Sequence, residues 1–363
     1  MKNINLLAVF CVSLFIYSCN GKNEVVEKPV NISEITSPVN KSKVKTGGTV
    51  NITVSQKDNS KDNSKDNSKK IDSVQIYIDD KIEKTLTESP FTYQWTTGKL
   101  GAKKISTAAY SNSNRENKSV YVEIISDIVP TVIKSSVVKT YPHNKTSFTE
   151  GLFYDGKYLY ESTGMNGSSG IMKIQLETGN IVKQASLDKQ YFGEGITMLD
   201  GRLFQLTWQS KIGFIYDAET FQKTGQFNYN TEGWGMTNNG KDLIMTDGTN
   251  IISFLDAATQ KVLYTLPVYD DKGPLNYLNE IEYVNGEIFA NVWRTDIILI
   301  IDAQTGRIKS LIDLSELTVG ETKKNREVDV LNGIAWNAKN GTLLVTGKYW
   351  QNIYEIKINR PSA

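Results

Sequence analysis

The chain has 363 residues, 39% hydrophobic and 22% charged, with 41 Lys and Arg against 40 Asp and Glu and a net charge of +1. This is the composition of a globular protein long enough for two domains, and its charge balance speaks against a nucleic-acid partner or a polybasic membrane patch. One histidine, His143, and two cysteines, Cys11 and Cys19, exclude an HExxH helix, a three-His zinc site and any two-His metal site within one chain.

Residues 1–19 read as an export leader. Lys2 supplies the positive start, Leu6 to Tyr17 the apolar run, and Ser18 the small residue before Cys19. The run is too short for a comfortable permanent span. Ile16-Tyr17-Ser18-Cys19 resembles a lipobox, whose cysteine is acylated and becomes the first mature residue. The expectation is an exported protein, lipid-anchored to the cell envelope through Cys19 on a periplasmic or outer-membrane face. The alternative is plain secretion with cleavage near Ser18. With Cys19 acylated, the mature chain has no disulfide.

Residues 20–30 are a polar tether, and residues 31–127 alternate apolar and polar in short runs. Examples are Thr49 to Val54, Val74 to Ile78 and Ser119 to Ile124. Turn residues separate them at the intervals of a β-sandwich, and the size and the segments around Pro38 and Trp95 resemble a bacterial immunoglobulin-like module. Within it, residues 57–70 carry the tandem Lys-Asp-Asn-Ser repeat without any apolar side chain. That predicts a disordered loop. A calcium loop there lacks the turn glycine that converging ligands need. Asp127 to Val132 is a linker.

From Ile133 a phrase returns five times: Phe148-Thr149-Glu150-Gly151-Leu152, Phe192-Gly193-Glu194-Gly195-Ile196, Thr231-Glu232-Gly233-Trp234-Gly235, Leu278-Asn279-Glu280-Ile281-Glu282 and Leu331-Asn332-Gly333-Ile334-Ala335. Aligning Glu150, Glu194, Glu232, Glu280 and Asn332 gives spacings of 44, 38, 48 and 52 residues. A second element, an apolar strand followed by Asp/Glu-x-x-Thr or a near variant, ends at Thr178, Thr220, Thr259 and Thr305. Short strands at a period of roughly 40 to 50 residues predict a β-propeller with one four-stranded blade per repeat. The last repeat ends early, after Ile358. The strand near Ile133 to Lys139 is the candidate to complete its blade and close the open edge. The expected fold is all-β: an Ig-like β-sandwich followed by a five-bladed β-propeller over residues 133–359.

Tyr141-Pro142-His143, the first phrase and Tyr160-Glu161-Ser162-Thr163-Gly164 resemble the opening of the plant- and bacterial-type glutaminyl cyclases (glutaminyl-peptide cyclotransferases). Gln205-Leu206-Thr207-Trp208, Asn291-Val292-Trp293 and Val345-Thr346-Gly347-Lys348-Tyr349-Trp350 continue the match to Ile358, in order and without large gaps. The resemblance implies an enzyme that closes the N-terminal Gln of a peptide or protein to pyroglutamate and releases ammonia, with no cofactor and no metal. It implies Glu194 as general acid and base, with Asn279 and Lys348 as polar catalytic groups on the amide carbonyl. It implies Phe148, Phe192, Trp208, Trp234 and Trp293 as the substrate-binding wall. Glu150 departs from the family, which often has Gln there; its carboxylate could meet the substrate ammonium or raise the Glu194 pKa by like-charge repulsion. Trp336 and Trp350 are left as structural. The expected partners are Gln-initiated peptides and the membrane, the latter through the lipid, with the protein itself a monomer. The competing functions are a calcium-dependent propeller hydrolase of the lactonase kind and a non-catalytic binding propeller.

Overall fold

A computed structural model describes residues 31–57, 70–112 and 114–360 of the chain. The leader with Cys19, the tether and nearly all of the charged repeat loop lie outside the described residues. The N-terminal strands form two sheets. One orders Ser33–Ser37, Thr49–Gln56 and Phe91–Thr96; the other orders Ser42–Lys45, Asn114–Ile125, Gly101–Ser111, Ser73–Ile78 and Lys81–Leu86. Alternation does what it should: Val50, Ile52 and Val54 from one sheet and Val74, Ile76 and Ile78 from the other share one buried cluster.

The rest of the chain makes five sheets, each built on four antiparallel strands. The first comprises Thr149–Tyr154, Leu159–Thr163, Gly170–Gln175 and Asn180–Ser186, and the second Gly193–Leu199, Arg202–Thr207, Ile212–Asp217 and Lys223–Asn228. The third comprises Met236–Asn238, Asp242–Thr246, Ile251–Asp256 and Val262–Pro267, and the fourth Leu278–Val284, Glu287–Val292, Ile297–Asp302 and Ile308–Asp313. The fifth takes Leu331–Asn337, Thr342–Gly347 and Asn352–Ile358, and its outer strand is Ser135–Pro142 from the start of the repeats. The first strands pack side by side in chain order, and that of the fifth sheet packs back on that of the first. They are almost wholly buried while the outer strands are largely exposed. Thr131–Ile133 does not join the fifth sheet; it pairs in parallel with Ile308–Asp313 of the fourth.

The Asp-x-x-Thr element is a side-chain-closed turn. Asp217, Asp256 and Asp302 each accept the backbone N–H and the hydroxyl of the Thr three residues on, at 2.7 to 2.8 Å. One helix, Ser315–Lys324, interrupts the strands between the fourth and fifth sheets. Its buried Glu321 accepts from Gln351 N–H, Asn352 Nδ2 and the Tyr354 hydroxyl, which ties it to the fifth sheet. The sandwich meets the fourth sheet through Arg307, which reaches Asp127 and Thr46 at 3.0 Å, and through the Tyr269 hydroxyl, which donates to Glu123 at 2.6 Å.

Candidate active site

The site grows from a recurring irregularity in the first strand of each sheet. Leu152, Ile196, Met236, Ile281 and Ile334 face Glu161, Gln205, Met245, Ala290 and Val345 across the first hairpins. Just before them the register shifts in the first, second, fourth and fifth sheets, as a β-bulge does. The residues two places before the reference are Glu150, Glu194, Trp234, Asn279 and Asn332. Those one place before it are Gly151, Gly195, Gly235, Glu280 and Gly333. The phrase alignment is therefore corrected at two points: Glu232 and Glu280 are not the counterparts of Glu150 and Glu194, whereas Trp234 and Asn279 are. Matching Glu to Glu displaces the alignment by two residues in the third sheet and by one in the fourth.

A second set of equivalent positions follows the second strands. Counting three residues past each partner gives Gly164, Trp208, Gly248, Trp293 and Lys348. Four of these donate their backbone N–H to the residue that leads into the bulge: Gly164 to Phe148, Trp208 to Phe192, Trp293 to Tyr277 and Lys348 to Val330, at 2.8 to 3.0 Å. Where this position is Gly248, a Cβ would lie 2.6 Å from the Trp234 ring. The glycine is the space the indole occupies.

Seven of these ten positions, all but Asn332, Gly164 and Gly248, join Phe148, Phe192 and Val330 in lining one cavity of about 350 Å³. All nine sequence-predicted residues line it: Phe148, Glu150, Phe192, Glu194, Trp208, Trp234, Asn279, Trp293 and Lys348. Arg294, Asp329 and Val330 complete the lining. Glu150, Glu194, Asn279 and Lys348 are buried, while Arg294 and Asp329 are exposed at the mouth. The aromatic wall is continuous in pairs. Phe148 meets Phe192 edge-on at 6.0 Å, Phe192 meets Trp208 at 5.6 Å, and Trp234 meets Trp293 at 5.8 Å. Trp350, by contrast, is fully buried outside the cavity and donates its indole N–H to the Asp329 carbonyl.

Glu150 and Lys348 form a buried ion pair at 2.7 Å. Asn332 donates its amide to the other Glu150 oxygen at 3.0 Å and to the Thr149 carbonyl at 2.9 Å. The Lys348 ammonium also lies 4.3 Å from the centroid of the Phe148 ring. Burial raises the Glu150 carboxyl above its ordinary range, while the Lys348 ammonium works in the opposite direction. Glu194 and the Asn279 carboxamide have no hydrogen bond to another described residue. Burial lifts the Glu194 carboxyl well above the usual carboxylate range, and the Glu150 charge adds to the rise against the pull of Lys348. Such a carboxyl holds a proton more readily than an ordinary one, and it meets the cavity with free lone pairs.

Glu232 has a role that its place in the sequence did not disclose. It accepts the indole N–H groups of Trp208 at 2.8 Å and Trp234 at 3.0 Å, and the Gln209 amide at 3.3 Å. Burial acts to raise this carboxyl, but the three donors hold it below its ordinary value. It therefore fixes two walls of the cavity as an anion. The signal was available in the repeat: Glu232 stands two residues before the bulge position, where Phe148 and Phe192 stand in their sheets. Asn332 was likewise recoverable as the bulge residue of the fifth sheet. Among the described residues no group of three or more His, Cys, Asp and Glu is arranged to hold a metal ion.

A sequence model of the glutamine cyclotransferase family matches residues 105–358. The chain belongs to that family. A bacterial Ig domain model matches residues 33–113, so the first residues of the family match fall on the last two strands of the sandwich. A glutaminyl-peptide cyclotransferase of Arabidopsis thaliana is 40% identical over 240 residues, which is 65% of this chain and 75% of that protein. The crystal structure of Myxococcus xanthus glutaminyl cyclase superposes with a TM-score of 0.60 at 30% identity, covering 64% of this chain and all of that one. The family's chemistry is thus to be sought in the cavity that unites Glu194, Asn279 and Lys348.

Proposed function

We propose that this chain is a glutaminyl-peptide cyclotransferase that converts the N-terminal Gln of peptides or proteins to pyroglutamate with release of ammonia. The observation that carries this is a buried carboxyl, Glu194, without a hydrogen-bond partner among the described residues, in an aromatic cavity that also holds the free Asn279 amide and the Lys348 ammonium. The cavity lies in the size range of small-ligand sites and suits one glutaminyl residue, with its aliphatic carbons on Trp208, Trp234 and Trp293.

The reaction joins the α-amine nitrogen to the side-chain amide carbon and breaks the bond from that carbon to the amide nitrogen. The attacking amine gives up a proton and the leaving nitrogen gains one. Glu194 takes the first and supplies the second, a role that suits a carboxyl whose pKa burial has raised. Negative charge develops on the former carbonyl oxygen. Asn279 supplies an N–H donor to it, and Lys348 supplies an ammonium N–H not used by Glu150. Glu150 thus orients Lys348 in preference to binding the substrate amine. The aromatic wall excludes water from an intermediate that must lose ammonia.

The five four-stranded sheets and the closed circle of their first strands support a five-bladed β-propeller over residues 133–359, set after an Ig-like sandwich at 31–127. The leader's charge, apolar run and Cys19 support export and lipid anchoring at the cell envelope, with the protein a monomer. Fatty-acid labelling that persists in a Cys19→Ser variant would remove the anchor. The function is tested by ammonia release from a Gln-initiated dipeptide on the purified protein. Turnover is expected, and it is expected to survive excess chelator; no ammonia from any such peptide defeats the proposal.

A further inference from the structure

The turn after Trp293 holds a cation at the mouth of the cavity. Arg294 lies between Glu287–Val292 and Ile297–Asp302 and lines the same cavity as Glu194 and Lys348. Its backbone is left-handed, with φ at 63°. That conformation is uncommon in a residue other than Gly, Asn or Asp, and it persists where the surroundings fix it. Here they do. Trp293 N–H donates to the Tyr277 carbonyl at 2.9 Å, and Thr295 donates its N–H and its hydroxyl to the Val292 carbonyl at 3.0 and 2.8 Å. The Arg294 guanidinium carbon lies 4.3 Å from the centroid of the Trp293 ring.

This guanidinium has no ion pair and no hydrogen bond with another described residue. Glu150 is occupied by Lys348 and Asn332, Glu232 by two indoles, and Asp329 on the rim accepts the Val330 N–H at 2.7 Å. A guanidinium resting on an aromatic face keeps its in-plane N–H fork available, and that fork matches a carboxylate. The buried polar groups lie inside, so the exposed Arg294 stands where a bound substrate leaves the cavity.

We propose that Arg294 determines specificity by receiving a carboxylate of the residue that follows the substrate's N-terminal glutamine. The proposal rests on the cyclotransferase function above. With the glutamine held between Glu194, Asn279 and Lys348, the backbone carbonyl leads outward to the second residue. The carboxylate has two sources: the free C-terminus of a dipeptide, or an Asp or Glu side chain at the second position. Both present the same pair of oxygens to the same fork.

The test is kcat/KM for ammonia release from Gln-Ala as free acid, Gln-Ala amide and Gln-Glu amide. Each is measured on the native protein, Arg294→Gln and Arg294→Glu. On the native protein at least one carboxylate peptide should exceed Gln-Ala amide by about three- to ten-fold, as expected for a charge-assisted contact at a half-open site, and chiefly through KM. The ratio should fall to about one in Arg294→Gln and below one in Arg294→Glu, and about 0.5 M salt should shrink the native ratio. A preference for the free acid alone assigns the contact to the C-terminus; a preference for Gln-Glu amide alone assigns it to the side chain. A native ratio of one for both peptides, or a ratio that survives both substitutions, overturns the proposal while leaving the cyclotransferase intact. Absence of ammonia from all three peptides on the native protein overturns the cyclotransferase function, and the proposal with it.

Discussion

Glu194 and Glu280 are both buried carboxylates on the first strand of a sheet, and burial lifts both well above the ordinary carboxylate range. They stand in layers one residue apart. Glu194 occupies the bulge layer, where the side chain enters the cavity and finds no hydrogen bond among the described residues. Glu280 occupies the next layer, where the other four sheets have Gly151, Gly195, Gly235 and Gly333. Its oxygens accept the backbone N–H of Leu152 at 3.2 Å and of Ile334 at 2.8 Å, in the first and fifth sheets. It thus joins the last turn of the circle to the first. A raised carboxyl pKa is common to both residues and so does not mark the catalytic acid. The free lone pairs and the open cavity do.

Exchanging each side chain should separate the two layers. Glu194→Gln is nearly isosteric but cannot carry a proton, so kcat should fall by about 10² to 10⁴. Its melting temperature should stay level or rise, because an unpartnered ionisable group leaves the interior. Glu280→Ala should do the reverse. It orphans two buried N–H groups, at about 1–3 kcal/mol each, and leaves a void besides. Denaturant unfolding should show a loss on the order of 3–5 kcal/mol, with kcat of the folded fraction changed only a few-fold. A stable but inactive Glu280→Ala would move Glu280 into the chemistry. Gly195→Ala probes the same layer from the glycine side: a Cβ there would lie 2.3 Å from the Met236 nitrogen, a backbone atom that cannot swing away. Soluble yield and melting temperature should both drop.

Glu282 offers a gentler probe of the same interior. It accepts from the Thr237 hydroxyl at 2.8 Å and from Trp336 N–H at 2.9 Å, and burial pushes its carboxyl from 4.5 up to about 7. A folded value above the unfolded one makes the contribution complete below pH 4.5 and lost as pH rises through 7. The loss from this group is on the order of 3 kcal/mol. Glu282→Gln should therefore flatten the fall of stability between those pH values; an unchanged slope would assign the fall to other groups.

The repeat and the side-chain-closed turns were legible as local pattern: alternation shows in consecutive residues, and an Asp-x-x-Thr turn closes within four. The nine residues that share the cavity were legible only through the family resemblance. What stayed hidden depends on spatial neighbours. Glu232 and Glu280 fall out of the true alignment because the eye matches Glu to Glu while the ladder matches Ile196 to Met236 and Ile281. The ion pair of Glu150 with Lys348 joins the two ends of the repeat region. Helix Ser315–Lys324 has neither an apolar stripe nor a side-chain cap at Leu314, so no sequence signal for it exists beyond Glu316 near its start and Lys323 and Lys324 at its end. Its place is fixed instead by the buried Glu321.

The smallest expected effect lies within the bulge layer itself, at the position where the chain departs from its family. Glu150 raises the Glu194 pKa by like charge, and as the ion-pair partner of Lys348 it offsets the ammonium charge that lowers it. Glu150→Gln removes both influences, and both changes have the same sign: the Glu194 carboxyl should ionise at lower pH. The substituted amide can be held in place. Its oxygen accepts from Lys348, and its N–H₂ can donate to the unpartnered Asn332 Oδ1 once the Asn332 amide turns over and releases the Thr149 carbonyl. Because Glu194 must begin as a carboxylate to accept the amine proton, the acid limb of kcat/KM should move down by about one pH unit, the size that one uncompensated neighbouring charge commonly produces. The limb should move while the fold, followed by circular dichroism, does not. A limb that stays in place would show that Glu194 does not feel the charge of its counterpart, and the pH dependence would then belong to the substrate amine alone.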